Sequence, residues 1–344
     1  MKIYIGGGKL IPLSRKIKIF LKYVLPYHKK LLNYIGLKIS LKLKKPSHRF
    51  YPPTIGFETT SRCNLQCPLC VRAREKLNRP EGTMSFDNLK KVIDTLGDYL
   101  IHARLHGWGE PFLNPDILEM AAYAHAKGIY TNFHTNGHFL TEKNINKIID
   151  SGLDEINIAL DGMSSQTYEK YRLGGNVQIV KEGVERLCRI KKKRKVKQPN
   201  VNLQFLVMAQ NEHEIPEVKK FAEESGVDQL IIKTLNVVLV EDDTAKNFLP
   251  QNSKYSRYKT ENNRLEFKKE NPCTYIFMEI RVNWDGTISL CSCDDTHGDY
   301  ISGNFFTDSI KDIIFGKEFV EARKKSLTKS FKMCKKCEGN ISSL

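Results

Sequence analysis

A chain of 344 residues can hold one large α/β domain and a small appended one, and 40% hydrophobic content suits a packed core. Nine cysteines, seven of them in a close triplet or pairs, exclude a disulfide scaffold and favour reduced, metal-binding thiols in a cytoplasmic-type compartment. The formal charge of +16 is uneven: residues 1–50 hold thirteen Lys or Arg and no acid, leaving 42 basic against 39 acidic residues in the other 294. So nearly neutral a body argues against a nucleic-acid groove, and no nucleic-acid partner is expected.

In the N-terminal fifty residues, Ile17, Phe20, Leu21 and Val24 fall at i, i+3, i+4 and i+7, the stripe of a helix. Arg15, Lys16, Lys18 and Lys22 occupy the rest of that surface, Pro26 ends it, and a second segment carries Leu31, Leu32, Ile35 and Ile39. No run approaches the roughly 20 apolar residues of a bilayer span, and lysines interrupt any signal-peptide core. Two readings stand. One is an interfacial helix that attaches a cytoplasmic protein peripherally to the inner face of an anionic membrane. The other is a helix whose stripe packs on the body.

From Thr54 to about Leu239, short apolar runs alternate with helical patterns, the signature of βα units and a parallel sheet. Strands are expected at Thr54–Phe57, Ile101–His106, Tyr130–His134, Glu155–Leu160, Val201–Val207 and Gln229–Lys233. Helices are expected at Phe86–Leu96 with Ser85 as cap, Pro115–Lys127, Thr141–Ser151, Val177–Lys191 and His213–Ser225. The block Lys191–Lys195 reads as a solvated loop, and Cys188 as a small buried hydrophobe.

Chemistry-bearing motifs follow the strands. After the first comes Cys63-Asn64-Leu65-Gln66-Cys67-Pro68-Leu69-Cys70, a C-x3-C-x2-C triplet. Thiolates suit iron–sulfur clusters or zinc, and three of them leave a fourth coordination position open. After the second comes Gly107-Trp108-Gly109-Glu110-Pro111, after the third Thr135-Asn136-Gly137, and ending the fourth Asn157-Ile158-Ala159-Leu160-Asp161-Gly162. Tyr168 and Tyr171-Arg172 lie downstream, and Val207-Met208-Ala209-Gln210-Asn211 closes the fifth strand.

Past Val240 the chain turns polar, and residues 241–271 read as a connector. Cys273 precedes a hairpin signal around Asn283-Trp284-Asp285-Gly286, Cys291 and Cys293 follow the returning strand, and a helix over Ile310–Lys325 separates them from Cys334 and Cys337. Four thiolates around one centre fit an iron–sulfur cluster or a zinc ribbon.

The cysteine triplet, its place after a first strand and the later motifs resemble the radical S-adenosylmethionine (radical SAM) enzymes. The resemblance implies a partial (βα)6 barrel, with chemistry at the C-terminal ends of the strands. It implies that Cys63, Cys67 and Cys70 hold a [4Fe–4S] cluster whose open iron chelates SAM, and that SAM is cleaved to a 5′-deoxyadenosyl radical that takes a substrate hydrogen. Gly109-Glu110 resembles the motif that binds the SAM amino group. Asn136, Asn157, Asp161 and Arg172 occupy places that meet SAM in relatives, with Ala159 standing where a serine is usual.

The C-terminal cysteines resemble a SPASM or shortened twitch extension, implying one auxiliary [4Fe–4S] cluster on Cys273, Cys291, Cys334 and Cys337, with Cys293 an alternative to Cys291. Asp294, with Asp295, is a candidate proton acceptor beside it. An external electron donor of the flavodoxin or ferredoxin type is implied, as is a peptide, carbohydrate or lipid-linked substrate. The expected organisation is a basic extension (1–50), a radical SAM core (51–240), a connector (241–272) and an auxiliary-cluster domain (273–344). The contrasting possibility is a zinc-stabilised, non-catalytic protein whose basic arm binds membrane or nucleic acid.

Overall fold

The computed structural model describes residues 1–5, 13–75, 77, 79–237, 240, 242–261, 264–268, 273–291, 302–331, 334 and 337. The strands are β1 (Lys2–Ile5), β2 (Thr54–Phe57), β3 (His102–Arg104), β4 (Tyr130–Thr135), β5 (Glu155–Ala159), β6 (Asn200–Val207), β7 (Gln229–Thr234), β8 (Tyr258–Glu261), β9 (Arg264–Phe267), β10 (Glu279–Val282) and β11 (Ile288–Ser289). The helices are α1 (Leu13–Tyr23), α2 (His28–Lys42), α3 (Phe86–Leu96), α4 (Ile117–Ala126), α5 (Glu142–Asp150), α6 (Ser165–Tyr168), α7 (Val177–Lys193), α8 (Ile215–Ser225), α9 (Asp242–Lys246), α10 (Tyr275–Met278), α11 (Ile310–Phe315) and α12 (Lys317–Leu327).

Strands β2 to β7 pair in chain order and in parallel, as repeated βα crossovers dictate, giving the partial barrel expected of the sequence. Each strand alternates. Ile55, Phe57, Ala103, Phe133, Ile156, Ile158, Leu203, Phe205, Leu230 and Ile232 join one apolar core with the helices. The intervening positions carry polar groups that bond one another across the opposite face: Asn157 Oδ1 accepts from Asn202 Nδ2 and Gln204 Nε2, both at 2.9 Å. Parallel strands packed on both faces read as continuous apolar runs. Here one face is polar, as befits a chamber.

An open barrel leaves two sheet edges, and unpaired edges invite association. Both are covered by segments from outside the βα repeat. β1 pairs in parallel with β7 at one edge, and β10 pairs in parallel with β2 at the other, with β11 returning antiparallel to β10. Neither pairing was legible in the periodicity, because each joins residues over 200 positions apart in sequence.

Three expectations need correction. Ile19 and Tyr23 of α1 are buried against the body with Val24 just beyond it, in a cluster with Ile101 and Tyr130, whereas Ile17 and Leu21 of the expected stripe are exposed. The polar connector is structured: β8 and β9 form an antiparallel hairpin, and Tyr258 and Leu265 pack with Leu65, Cys67, Leu69 and Tyr171 of the cysteine-loop cluster. Few apolar residues supply that contact, so a polar composition concealed it. The helix expected over Ile310–Lys325 is two helices, broken where Gly316 takes an extended backbone.

α1 and α2 lie at the N-terminal ends of the barrel strands. Arg15 Nη2 reaches Glu155, the first residue of β5, at 2.6 Å and the Tyr130 hydroxyl, the first of β4, at 2.7 Å. The Tyr23 hydroxyl donates to Asp154, and Lys30 Nζ to the Gly128 carbonyl at 2.6 Å.

Candidate active site

The opposite, C-terminal ends of β2 to β5 gather the motifs. Beyond β2 the chain buries Glu58, Thr59, Thr60 and Ser61 and then turns through the cysteine loop. Cys67 is buried and Cys63 and Cys70 half-buried, all three packed with Leu65, Leu69, Tyr171 and Met208. The loop is tied by Cys70 N–H donating to the Cys67 carbonyl at 2.9 Å and Leu65 N–H to Cys63 Sγ at 3.4 Å. Burial pushes the Cys63 thiol up to about 11, and the neighbouring Cys67 and Cys70 act in the same direction. Burial raises Cys67 too, and the Arg172 guanidinium opposes it. Soft thiols gathered on one sheltered loop are a donor set that fits an iron–sulfur group. Among the described residues no three His, Cys, Asp or Glu side chains are grouped as ligands of a lone metal ion.

Gly109 shows why the loop after β3 carries glycine. A Cβ there would lie 2.3 Å from the Thr60 carbonyl oxygen and 2.5 Å from that of Arg62, both backbone atoms that no rotamer change can move. The close approach lets Glu110 N–H donate to the Arg62 carbonyl at 2.8 Å, clasping this loop to the cysteine loop. The Glu110 carboxylate is buried. It accepts from the Thr135 hydroxyl at 2.8 Å, Asn136 N–H at 2.8 Å and Phe112 N–H at 3.3 Å, all neutral donors. Burial pushes its carboxyl up to about 7, with these hydrogen bonds pulling the other way.

Asn136 completes the clasp, its Nδ2 donating to Asn64 Oδ1 at 2.8 Å across from the cysteine loop. Half-buried Arg172 pairs with buried Asp161: Arg172 Nε lies 2.7 Å from Asp161 Oδ2, and Nη2 also contacts that oxygen. Arg172 Nη1 meanwhile donates to Cys67 Sγ at 3.6 Å. Asp161 Oδ1 accepts from Leu206 N–H at 2.7 Å, so β5 and β6 are joined at the same point. Asn157 is placed apart from this group. It lies two residues along from Glu155, whose Oε1 it contacts at 2.8 Å, and belongs to the polar ladder of the chamber.

Several residues at this end carried no sequence signal. Arg79 forms a two-pronged ion pair with buried Glu58, Nη2 to Oε1 at 2.6 Å and Nε to Oε2 at 3.1 Å. The His106 and His134 rings face each other with centroids 4.2 Å apart, and burial holds both well below the usual histidine range. Lys233, pushed down to about 8 by burial, donates to Gln204 Oε1 at 3.3 Å. Only alternation within the expected strands could have marked His106, His134 and Lys233 as facing the chamber, and Arg79 lies in a loop without any period.

The second cysteine set is brought together from distant stretches. Cys334 is buried, burial pushes its thiol up to about 12, and the nearby Cys291, Cys273 and Cys337 act in the same direction. Cys337 N–H donates to the Cys334 carbonyl at 3.1 Å. Cys293, Asp294 and Asp295 lie outside the described residues. The hairpin between β10 and β11 reaches back to the first site. Trp284 Nε1 donates to the Pro80 carbonyl at 3.2 Å, and its ring covers Gly82, where a Cβ would come within 2.3 Å of it.

Residues 57–222 match the radical SAM superfamily, and residues 273–338 match the SPASM iron–sulfur cluster-binding domain. These matches identify a radical SAM domain followed by a SPASM domain. The chain is an enzyme, and its cofactors are [4Fe–4S] clusters and S-adenosylmethionine. It is similar to the probable GTP 3′,8-cyclase of Methanococcus maripaludis, at 28% identity over 262 residues, 69% of this chain and 84% of that one. It is also similar to the tungsten-containing aldehyde ferredoxin oxidoreductase cofactor-modifying protein of Pyrococcus furiosus, at 24% identity over 295 residues, 78% of each chain. The fold is similar to that of Streptococcus suis SuiB in its crystal structure with S-adenosylmethionine, with a TM-score of 0.63, 14% identity, and 95% of this chain and 83% of that one covered. The radical SAM and SPASM domains displace the zinc-stabilised, non-catalytic alternative.

Proposed function

We propose that this radical SAM enzyme modifies a peptide or carbohydrate substrate held in the polar chamber of its barrel, beginning with abstraction of a hydrogen atom. When bound, the first cluster and SAM supply an electron and a 5′-deoxyadenosyl radical at the C-terminal ends of the strands. Cys63, Cys67 and Cys70 are assigned to that cluster. Glu110 and the backbone at Gly109 receive the SAM ammonium group, Asn136 fixes the loop behind it, and Arg172, held by Asp161, faces the SAM carboxylate. Asn157 lines the chamber below and is assigned the ribose contact.

The single observation that supports this reading is Glu110. A buried carboxylate raised to about 7 and surrounded by neutral donors is a ready receptor for a cation beside three thiols. Cys273, Cys291, Cys334 and Cys337 are assigned to one auxiliary cluster, and a flavodoxin- or ferredoxin-type protein to electron supply. The division into residues 1–50, 51–240, 241–272 and 273–344 is proposed with the qualification that β1 and β10 complete the core sheet.

The test is anaerobic reconstitution followed by three readings. Iron near eight per chain is expected for two cubane clusters. Reduction in the presence of SAM is expected to release 5′-deoxyadenosine. A panel of deuterated peptides and sugars is then screened for transfer of label into 5′-deoxyadenosine. Release of 5′-deoxyadenosine without label from any candidate class would overturn the substrate assignment, and no release at all would overturn the reaction.

A further inference from the structure

α2 is built inside out. Its buried residues are Lys30, Asn33, Leu37 and Ser40, three of them polar. Asn33 is spent on the body: its Nδ2 donates to the Tyr51 carbonyl and its Oδ1 accepts from Tyr51 N–H, both at 2.8 Å. The solvent side instead carries Leu32, Ile35, Ile39 and Leu43, a ridge at helical spacing. α1 repeats the pattern, with Leu13, Ile17 and Leu21 continued by Leu25 at intervals of four residues. These eight side chains are 46–74% exposed. Among the described residues, twelve of the fourteen exposed large hydrophobic side chains lie in the first 43 residues. Scattered exposed leucines need no explanation, but this concentration does.

Charge selects what covers it. Residues 1–50 hold thirteen basic side chains and no acidic one. Lys18, Lys42, Lys44 and Lys45 make no ion pair among the described residues. A second copy of so cationic a surface would be repelled, whereas an anionic bilayer attracts it and accepts the aliphatic ridges. No helix among the described residues is long and apolar enough to cross a membrane. A groove of about 230 Å³ lined by Ile17, Phe20 and Tyr34 sits between the two helices, open to the same apolar material.

We infer that α1 and α2 dock this protein on the surface of an anionic phospholipid bilayer, lysines at the headgroups and both aliphatic ridges in the interface. The arm packs on Ile101, Gly128, Tyr130 and Asp154, all at the N-terminal ends of strands. The cysteine loop follows the C-terminal end of β2. Docking therefore tethers the back of the barrel and leaves the opposite end facing the aqueous phase.

The test is flotation of the full, cofactor-loaded chain with vesicles of phosphatidylcholine alone or with about one third phosphatidylglycerol. Binding to the anionic vesicles at least about tenfold tighter than to the neutral ones is expected, declining as salt rises. Lys44→Ser and Lys45→Ser are each expected to weaken it about fivefold. The pair Leu21→Gln and Ile35→Gln is expected to abolish it while SAM cleavage in solution stays unchanged, since both residues are exposed and remote from the cysteine loop. Absence of vesicle binding, equal binding to neutral vesicles, or full binding by the Leu21/Ile35 variant overturns the docking. So does a dimer in sedimentation velocity that the same variant dissociates, because a second copy then covers the ridges.

Discussion

Two buried carboxylates at opposite ends of the barrel, Glu155 and Glu110, are treated in opposite ways. At the N-terminal end, Glu155 is answered by Arg15 at 2.6 Å, with Tyr130, Asn132 and Asn157 also donating to it. Asp154 beside it receives the Tyr23 hydroxyl, Thr131 N–H at 3.0 Å and His125 Nδ1 at 3.1 Å, with Lys22 at 3.7 Å. At the C-terminal end, Glu110 is equally buried yet makes no ion pair among the described residues. Where the chain supplies the counter-charge, a carboxylate holds the fold together. Where it supplies only neutral donors, the counter-charge is left to a ligand.

Four experiments sharpen or break this contrast. The largest effect is expected at the cysteine loop: Cys63→Ala, Cys67→Ala or Cys70→Ala reduces 5′-deoxyadenosine release to background and lowers iron by about four per chain. Activity above a tenth of wild type in any of them would remove the cluster from this end. Next comes Gly109→Ala. Its Cβ meets two backbone carbonyl oxygens at 2.3 and 2.5 Å, so the clasp between the two loops must open. SAM affinity is expected to fall at least about tenfold, with a stability loss of about 1–3 kcal/mol from overpacking. Calorimetric titration and urea melts read the two effects separately.

At the other end, Arg15→Ala leaves Glu155 buried without its cation and is expected to cost about 3–5 kcal/mol in urea unfolding. Adding Glu155→Gln to that variant is expected to restore part of the loss. SAM cleavage per folded molecule stays unchanged, and a proportional loss of cleavage would tie the two ends together. The last effect carries the opposite sign. Glu110 has a folded carboxyl near 7 against 4.5, so ionising it opposes folding. The wild-type protein without SAM is expected to lose up to about 3 kcal/mol relative to Glu110→Gln as pH rises from 4.5 through 7, with no further change above. Parallel pH profiles of the two proteins would place Glu110 among the structural carboxylates.

Much of this was legible along the chain because it is local. Ser85 caps α3 by accepting from Asn88 N–H at 3.2 Å, and Thr141 caps α5 through Asn144 N–H at 3.3 Å, as their positions before helical patterns foretold. The six barrel strands were marked by apolar runs, although their ends moved by a residue or more, as with the expected Ile101–His106 against the observed His102–Arg104. The hairpin at Asn283–Gly286 was written in its turn residues, and Gly286 takes a positive φ of 89°. The connector was misread because Tyr258 and Leu265 act singly and lack any period.

The sequence by itself determined the order of the βα units and the placing of the cysteine, Gly-Glu-Pro and Asn-Gly motifs after successive strands. It determined the basic arm too, since spacing and composition are properties of neighbouring residues. Only the tertiary structure decided which faces those elements present. It paired Lys2–Ile5 with β7 and Glu279–Val282 with β2, turned the polar side of α2 inward, and gave Arg15 to Glu155 while leaving Glu110 to neutral donors. Such choices depend on desolvation and pairing between residues far apart in the chain, and no local pattern records them.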